Sequence, residues 1–315
     1  MSQPFRFTMS MPALNRPVAR WRDDIRRIED LGFSSVAISD HLSGGWVMDP
    51  LVAMVVAAEV TTRLRVLGMV FCNDLRHPAM LHKSMANLDV FSGGRVEIGL
   101  GAGWRRADHD AIGLPFDRAG VRVERLAEAV EVISALFGEK PVTYIGQHYQ
   151  VIELDGQPKP VQRPRPPLVI GGGGRRVLEL AGRTADVVGI NPRLGLDVDP
   201  SAAVADMTVS RIDQKVAWAR AAARAAGRDP GALQFQLRML DVRVVHRGVE
   251  HRSTSSLATR GSSAMMAGSP SVLHGSVAHC ADRLVELRER YGINQIHLGD
   301  NIDAAAPVVA QLAGR

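Results

Sequence analysis

Short apolar runs alternate with helix-period segments along almost the whole chain, and that alternation limits the possible folds more than any single motif. Strands are expected at Phe5–Met9, Ser35–Ser39, Arg65–Phe71, Arg95–Leu100, Leu168–Ile170, Asp186–Ile190, Phe235–Val245 and Gln295–Leu298. Helices are expected at Val18–Leu31, about Asp49–Glu59, Ala79–Phe91, about Arg118–Phe137, Arg175–Gly182, about Pro200–Ala226, Ser276–Tyr291 and Asp303–Leu312. Eight strand–helix units without a break in composition predict an α/β chain folded as one (β/α)8 TIM barrel over residues 1–315. Two segments interrupt the pattern. Residues 141–167 read as a hairpin and proline-rich connector, and residues 246–274 as a mobile loop after the seventh strand. A doubly wound sheet is the alternative, but its glycine fingerprint belongs after the first strand, which here runs into "MPALNRP".

Composition then excludes several classes. At 315 residues and 46% hydrophobic the chain can bury the core such a barrel needs. No long apolar run and no basic-then-apolar amino terminus appear, so the protein is expected in the cytoplasm with no membrane partner. Cys72 and Cys280 are too few for a disulfide framework. The net charge of +5 comes from scattered arginines, which argues against nucleic acid and is compatible with an anionic small-molecule substrate or a solvated basic surface.

Active sites of such barrels lie at the carboxyl ends of the strands, and unusual residues collect there. "LVIGGGGRRVLELAGR" places Gly171, Gly172, Gly173 and Gly174 with Arg175 between the fifth strand and a helix, where backbone amides and the helix amino end suit a phosphate. A tight turn is the plainer reading. "EIGLGAGW" after the fourth strand removes side chains at Gly101 and Gly103, around Ala102, and sets Trp104 as an aromatic wall; dense packing explains it equally well. "SDHLSGGW" after the second strand holds Asp40, His41 and Trp46. A metal would need further ligands, and Asp74, His77 and Asp108 show no ligand spacing, so no metal is expected. A structural pair stays open beside the leading reading of His41 as a catalytic imidazole.

Together "SDH", "LGMVFCNDLRHPAMLHKSMANLDVFSGGRVEIGLGAGW", "GQHYQV" with "PKPVQRPRPPLVIGGGGRRVLELAGRTADVVG", and more weakly "VLHGSVAHCADRLVELRERYGI", resemble the luciferase-like flavin and deazaflavin oxidoreductases, and within them the coenzyme F420-dependent branch. The resemblance implies a flat ring across the barrel mouth, its phosphate on the glycine loop after the fifth strand. It implies His41 near the reactive centre, Asp40 touching the ring or orienting the imidazole, and a non-proline cis peptide near Val70–Phe71, beside Cys72, supporting the ring. It also implies a homodimer. In the sugar-phosphate dehydrogenase of this branch a glutamate stands where this chain has Trp104, which puts that reaction in doubt and leaves Asp108 as the nearest carboxylate. Trp46, Asp108 and Arg193 are the candidates for contact with substrate. The implied chemistry is hydride transfer between F420 and a small organic substrate; an FMN-dependent monooxygenase and a non-catalytic cofactor-binding barrel are the alternatives.

Overall fold

The computed structural model describes residues 3–45, 47–194, 200–254 and 268–315. Its strands are β1 (Arg6–Ser10), β2 (Ser35–Ile38), β3 (Arg65–Cys72), β4 (Val96–Gly101), β5 (Val142–Ile145), β6 (Gln150–Leu154) and β7 (Leu168–Gly172). They continue as β8 (Val187–Ile190), β9 (Gln234–Arg238), β10 (Asp241–His246), β11 (Val249–Thr254), β12 (Val272–Ser276) and β13 (Ile293–His297). The helices are α1 (Val18–Asp30), α2 (Pro50–Glu59), α3 (Pro78–Phe91), α4 (Arg106–Ala111), α5 (Ala119–Leu136), α6 (Arg175–Thr184), α7 (Pro200–Ala205), α8 (Val209–Ala225), α9 (Val277–Tyr291) and α10 (Ile302–Leu312).

Eight parallel strands close in the order β1-β13-β9-β8-β7-β4-β3-β2, the (β/α)8 barrel the alternation predicts. Side chains alternate across each strand. Phe7 and Met9 of β1 and Phe235 and Leu237 of β9 join the outer core with Trp21, Ile25 and Ile28 of α1 and Ile212 and Val216 of α8. Facing inward, Glu97 closes the amino end of the barrel with Arg6 and Arg65, Arg65 Nε donating over 2.5 Å. Above it Ala37, Leu67, Val169 and Val187 form an apolar plug, against which Met69 packs. The floor of the mouth is therefore solid, and whatever binds there rests on the plug.

Local chemistry sets the helix ends. Asp49 accepts from the Val52 amide over 3.0 Å just before Pro50 opens α2. Gly292 ends α9 at φ +74°, a left-handed conformation that costs glycine little.

The expected seventh strand is two. No glycine or proline marks the break; the period-two pattern slips phase at Met239 and Leu240, both buried, between Arg238 and Asp241. There the chain leaves the barrel: Met239 N–H donates to His297 and Leu240 N–H to Ser271. β10 then pairs with β11 and β12 in a separate three-stranded sheet. The stretch 246–274 thus holds β11 and the start of β12, while residues 255–267 lie outside the described ones. The expected helix Pro200–Ala226 is likewise divided into α7 and α8, because Asp206 turns in to meet the buried Lys215 amine at 2.6 Å. Residues 142–154 form the antiparallel β5–β6 hairpin.

Candidate active site at the carboxyl ends of the strands

Beyond β2 the chain reverses at Ser43, Gly44 and Gly45, and the loop closes on helix α4. The His41 imidazole meets the Asp108 carboxylate through Nδ1 at 2.6 Å. Asp108 is 3% exposed and also accepts from the Leu42 and Ser43 amides and, at 2.6 Å, from the Ser43 hydroxyl. Burial alone would raise the Asp108 carboxyl, but the Ser43 hydroxyl, His41 and the Leu42 amide outweigh it and hold the carboxyl below its ordinary value. An ionised Asp108 makes Nδ1 the protonated nitrogen and leaves proton transfer to Nε2. Gly44, at φ +71°, lies under the Arg105 guanidinium, where a Cβ would fall 2.1 Å from Nη2. Trp104 sets its ring edge-on to His41, 5.6 Å between centroids. Trp46 lies outside the described residues.

Asp40, next in sequence to His41, turns elsewhere. Its carboxylate accepts from both terminal nitrogens of Arg76 and, at 3.0 Å, from the Cys72 amide. Ser39 Oγ donates to the Met69 carbonyl at 3.2 Å, so the end of β2 fastens both sides of the irregular end of β3. The hydrogen-bond partner of the imidazole at Nδ1 is accordingly Asp108, not Asp40. The non-proline cis peptide is Met69–Val70, one residue before the position the resemblance implies.

The irregularity turns Val70 into the mouth, and the glycines make room for it. A Cβ on Gly101 would stand 2.5 Å from Val70 Cγ2, and one on Gly171 would stand 3.1 Å from Cγ1. A Cβ on Gly99 would stand 2.0 Å from the Gly68 carbonyl oxygen. Phe71, on the other face of the strand, is fully buried. Gly103, at φ +72°, passes over the Cys72 sulfur. Burial pushes the Cys72 thiol up to about 12, so it is a neutral wall and not a nucleophile. The carbonyls of Ala102 and Gly103 accept from Arg122, which fixes the loop from below.

In the four-glycine loop three positions are filled by neighbours. Gly171 meets Val70 and Asn191, Gly172 meets the Val177 side chain, and Gly173 meets the Pro192–Arg193 backbone. Gly174 alone has nothing within 4 Å of where a Cβ would stand, and it opens α6 without a side-chain cap. That is an accessible helix amino end at the rim of the barrel, open to an anion. Arg175 is 67% exposed and pairs with Glu179 at 2.7 Å. Arg193 is exposed and contributes its backbone amide to Asp206.

Sequence reasoning did not find Arg76, Arg122 or Arg238. Arg122 carried a readable signal, a charged residue on the apolar face of a long helix; Arg76 becomes meaningful only once β2 and β3 lie side by side. Among the described residues no cluster of His, Cys, Asp or Glu could hold a metal ion, and no helix is long and apolar enough to cross a membrane.

A parallel barrel whose second, third and fourth strand ends carry an imidazole–carboxylate pair and a glycine-lined wall defines an enzyme-type barrel with a site for a flat ligand. The chain belongs to the luciferase-like monooxygenase family, whose model matches residues 4–295. It is 33% identical over 164 residues to an F420-dependent glucose-6-phosphate dehydrogenase of Microbacterium testaceum (strain StLB037), covering 50% of this chain and 48% of that one. It is 25% identical over 203 residues to an FMNH2-dependent dimethylsulfone monooxygenase of Pseudomonas putida, covering 59% and 56%. The chain thus spans about half the length of the curated relatives it matches. The coenzyme F420 dependent tetrahydromethanopterin reductase of Methanopyrus kandleri shares the fold, with a TM-score of 0.76 and 20% identity over 98% of both chains.

Proposed function

We propose that the protein is an F420-dependent oxidoreductase that exchanges a hydride with a small organic substrate. The observation that carries this reading is the His41–Asp108 pair of 2.6 Å at the edge of the glycine-lined wall. The residues fit a ring with a phosphate-bearing tail. Val70, Gly101, Gly103 and Trp104 bound a flat surface, and Gly174 offers a helix amino end to the phosphate. When bound, F420 supplies two-electron hydride chemistry. The chain supplies the rest. Asp108 holds Nδ1–H, so that Nε2 of His41 is the atom that gives a proton to, or takes one from, the substrate oxygen. Trp104, standing in place of the glutamate, offers no second acid, and Asp108 serves by orienting and charging His41. The apolar plug below keeps water from the underside of the ring. The same reading makes the working unit a cytoplasmic homodimer, which a monomer in sedimentation velocity would contradict.

Titration of the purified chain with F420 and with FMN in parallel, followed by fluorescence, tests the cofactor. Tight F420 and weak FMN binding is expected. The reverse moves the protein to the oxygen-using flavin branch, and binding of neither removes the reading.

A further inference from the structure

Across the mouth from His41 the strand ends are polar. Phe235 and Leu237 of β9 belong to the outer core, so Gln236 and Arg238 point into the barrel. By the same alternation Thr8 and Ser10 of β1 and Gln295 and His297 of β13 face inward, since Phe7, Met9 and Ile296 face out. Arg238 stands level with His297 in the β9–β13 register. The Ser10 hydroxyl and His297 Nε2 are 2.9 Å apart.

Three groups of this arc lack partners. Among the described residues Arg238 Nε is buried without a hydrogen-bond partner, and so are Gln236 Nε2 and His297 Nδ1. Asp300 is the nearest counter-charge acting on Arg238, but its carboxylate is exposed and occupied by the Ser253 hydroxyl at 2.9 Å. Burial pulls the Arg238 guanidinium below its ordinary value, with Asp300 opposing. Burial, then Arg238, holds His297 well below 6.5, so it is neutral. A partly buried cation whose nearest counter-charge is exposed and engaged elsewhere is uncommon away from ligand sites.

We propose that Arg238, with His297 beside it, binds a carboxylate on the substrate. This deepens the proposed function and rests on it for the substrate's place between Arg238 and His41. A carboxylate suits the arc because one guanidinium meets two oxygens in a planar fork, and a neutral imidazole adds one N–H without a second charge. With the Ser10 hydroxyl as donor to Nε2, the tautomer that a bound carboxylate selects, Nδ1 is the protonated nitrogen. A phosphate dianion would need a second cation, and none is paired with Arg238. The substrate would then lie with its charged end under β9 and β13 and its reacting carbon toward the ring.

The test uses hexanoate and hexanamide, of equal length and different charge, titrated into the F420-loaded chain and read by the cofactor absorbance. The wild-type chain is expected to prefer hexanoate by at least 10-fold. In Arg238→Gln that preference should disappear, with hexanoate weakened by about 10- to 100-fold and F420 affinity unchanged. Equal binding of acid and amide by the wild type, undiminished hexanoate binding by Arg238→Gln, or a parallel loss of F420 affinity would each overturn the assignment. Should Arg238→Gln fail to fold, Arg238→Lys is expected to keep a weakened preference for the acid, and full retention counts against a fork. If neither F420 nor FMN binds, the proposed function fails by itself; the acid–amide preference is then read by calorimetry on the unloaded chain.

Discussion

Strands β4 and β7 end in glycines packed around the Val70 side chain, whereas β1, β9 and β13 end in Ser10, Arg238 and His297. The first side of the mouth is shaped by the removal of side chains, and its carboxylates are satisfied. Asp40 is held by Arg76 and Cys72, and Asp108 by His41 and Ser43. The second side keeps its side chains and, among the described residues, leaves buried nitrogens unpaired at Arg238 and His297. A surface that is smooth and satisfied suits a large, flat ligand held by shape. A surface with unmet charge suits a small ligand held by one polar end.

Substitutions on the two sides should therefore fail differently. His41→Ala is expected to lower kcat by about 10²- to 10⁴-fold while F420 affinity changes little, measured by single-turnover kinetics; full activity would remove the imidazole from the chemistry. Next in size, Asp40→Asn leaves the half-buried Arg76 with only the longer pair to the exposed Asp49 and should cost about 1–3 kcal/mol of stability, seen in urea unfolding. If Asp40 touches the ring directly, F420 affinity would fall instead while stability held. Asp108→Asn keeps the shape and loses the charge, and a drop in kcat of roughly 10- to 100-fold with KM nearly constant is expected. The pH–rate profile should shift in that variant, which a purely structural Asp108 would not produce. Arg175→Ala should change F420 affinity by less than about threefold, because the side chain is exposed and already paired with Glu179.

Acid should separate the two sides as well. His297 is held well below its ordinary 6.5, so its stabilising contribution is complete above that pH and falls as the pH drops toward the folded value. Asp108 is held below 3.8, so its contribution stays intact above that value and is lost only as the pH falls through its lower folded value. Urea unfolding between pH 7 and 4.5 should show declining stability that His297→Gln reduces to the part owed to His82, which burial lowers to about 4, and that Asp108→Asn leaves in place.

The barrel itself was legible because short apolar runs and helix-period stretches alternate along the chain, with only two interruptions. What escaped was long-range. The seventh strand was read as continuous since no glycine or proline interrupts it; the alternation slips phase at Met239–Leu240, and the barrel's closure shows that the chain leaves there. "SDH" pointed to His41, but its true partner is 67 residues away on a short helix. The glycine loop was read as a single phosphate cradle. Three of its glycines answer to Val70, Val177 and Pro192–Arg193, neighbours that no local window contains. Arg238 carried no signal at all, because an arginine at a strand end is ordinary until the strands beside it show that, among the described residues, its nearest counter-charge is an exposed Asp300 engaged by Ser253.

The most direct measurement is a crystal structure of the protein with oxidised F420. The ring is expected against Val70, Gly103 and Trp104, within reach of His41 Nε2, with the phosphate at the amides that follow Gly174 and no contact to Arg238. A ring lying on Arg238 and His297, or a phosphate bound away from Gly174, would contradict the division of the mouth into a cofactor side and a substrate side.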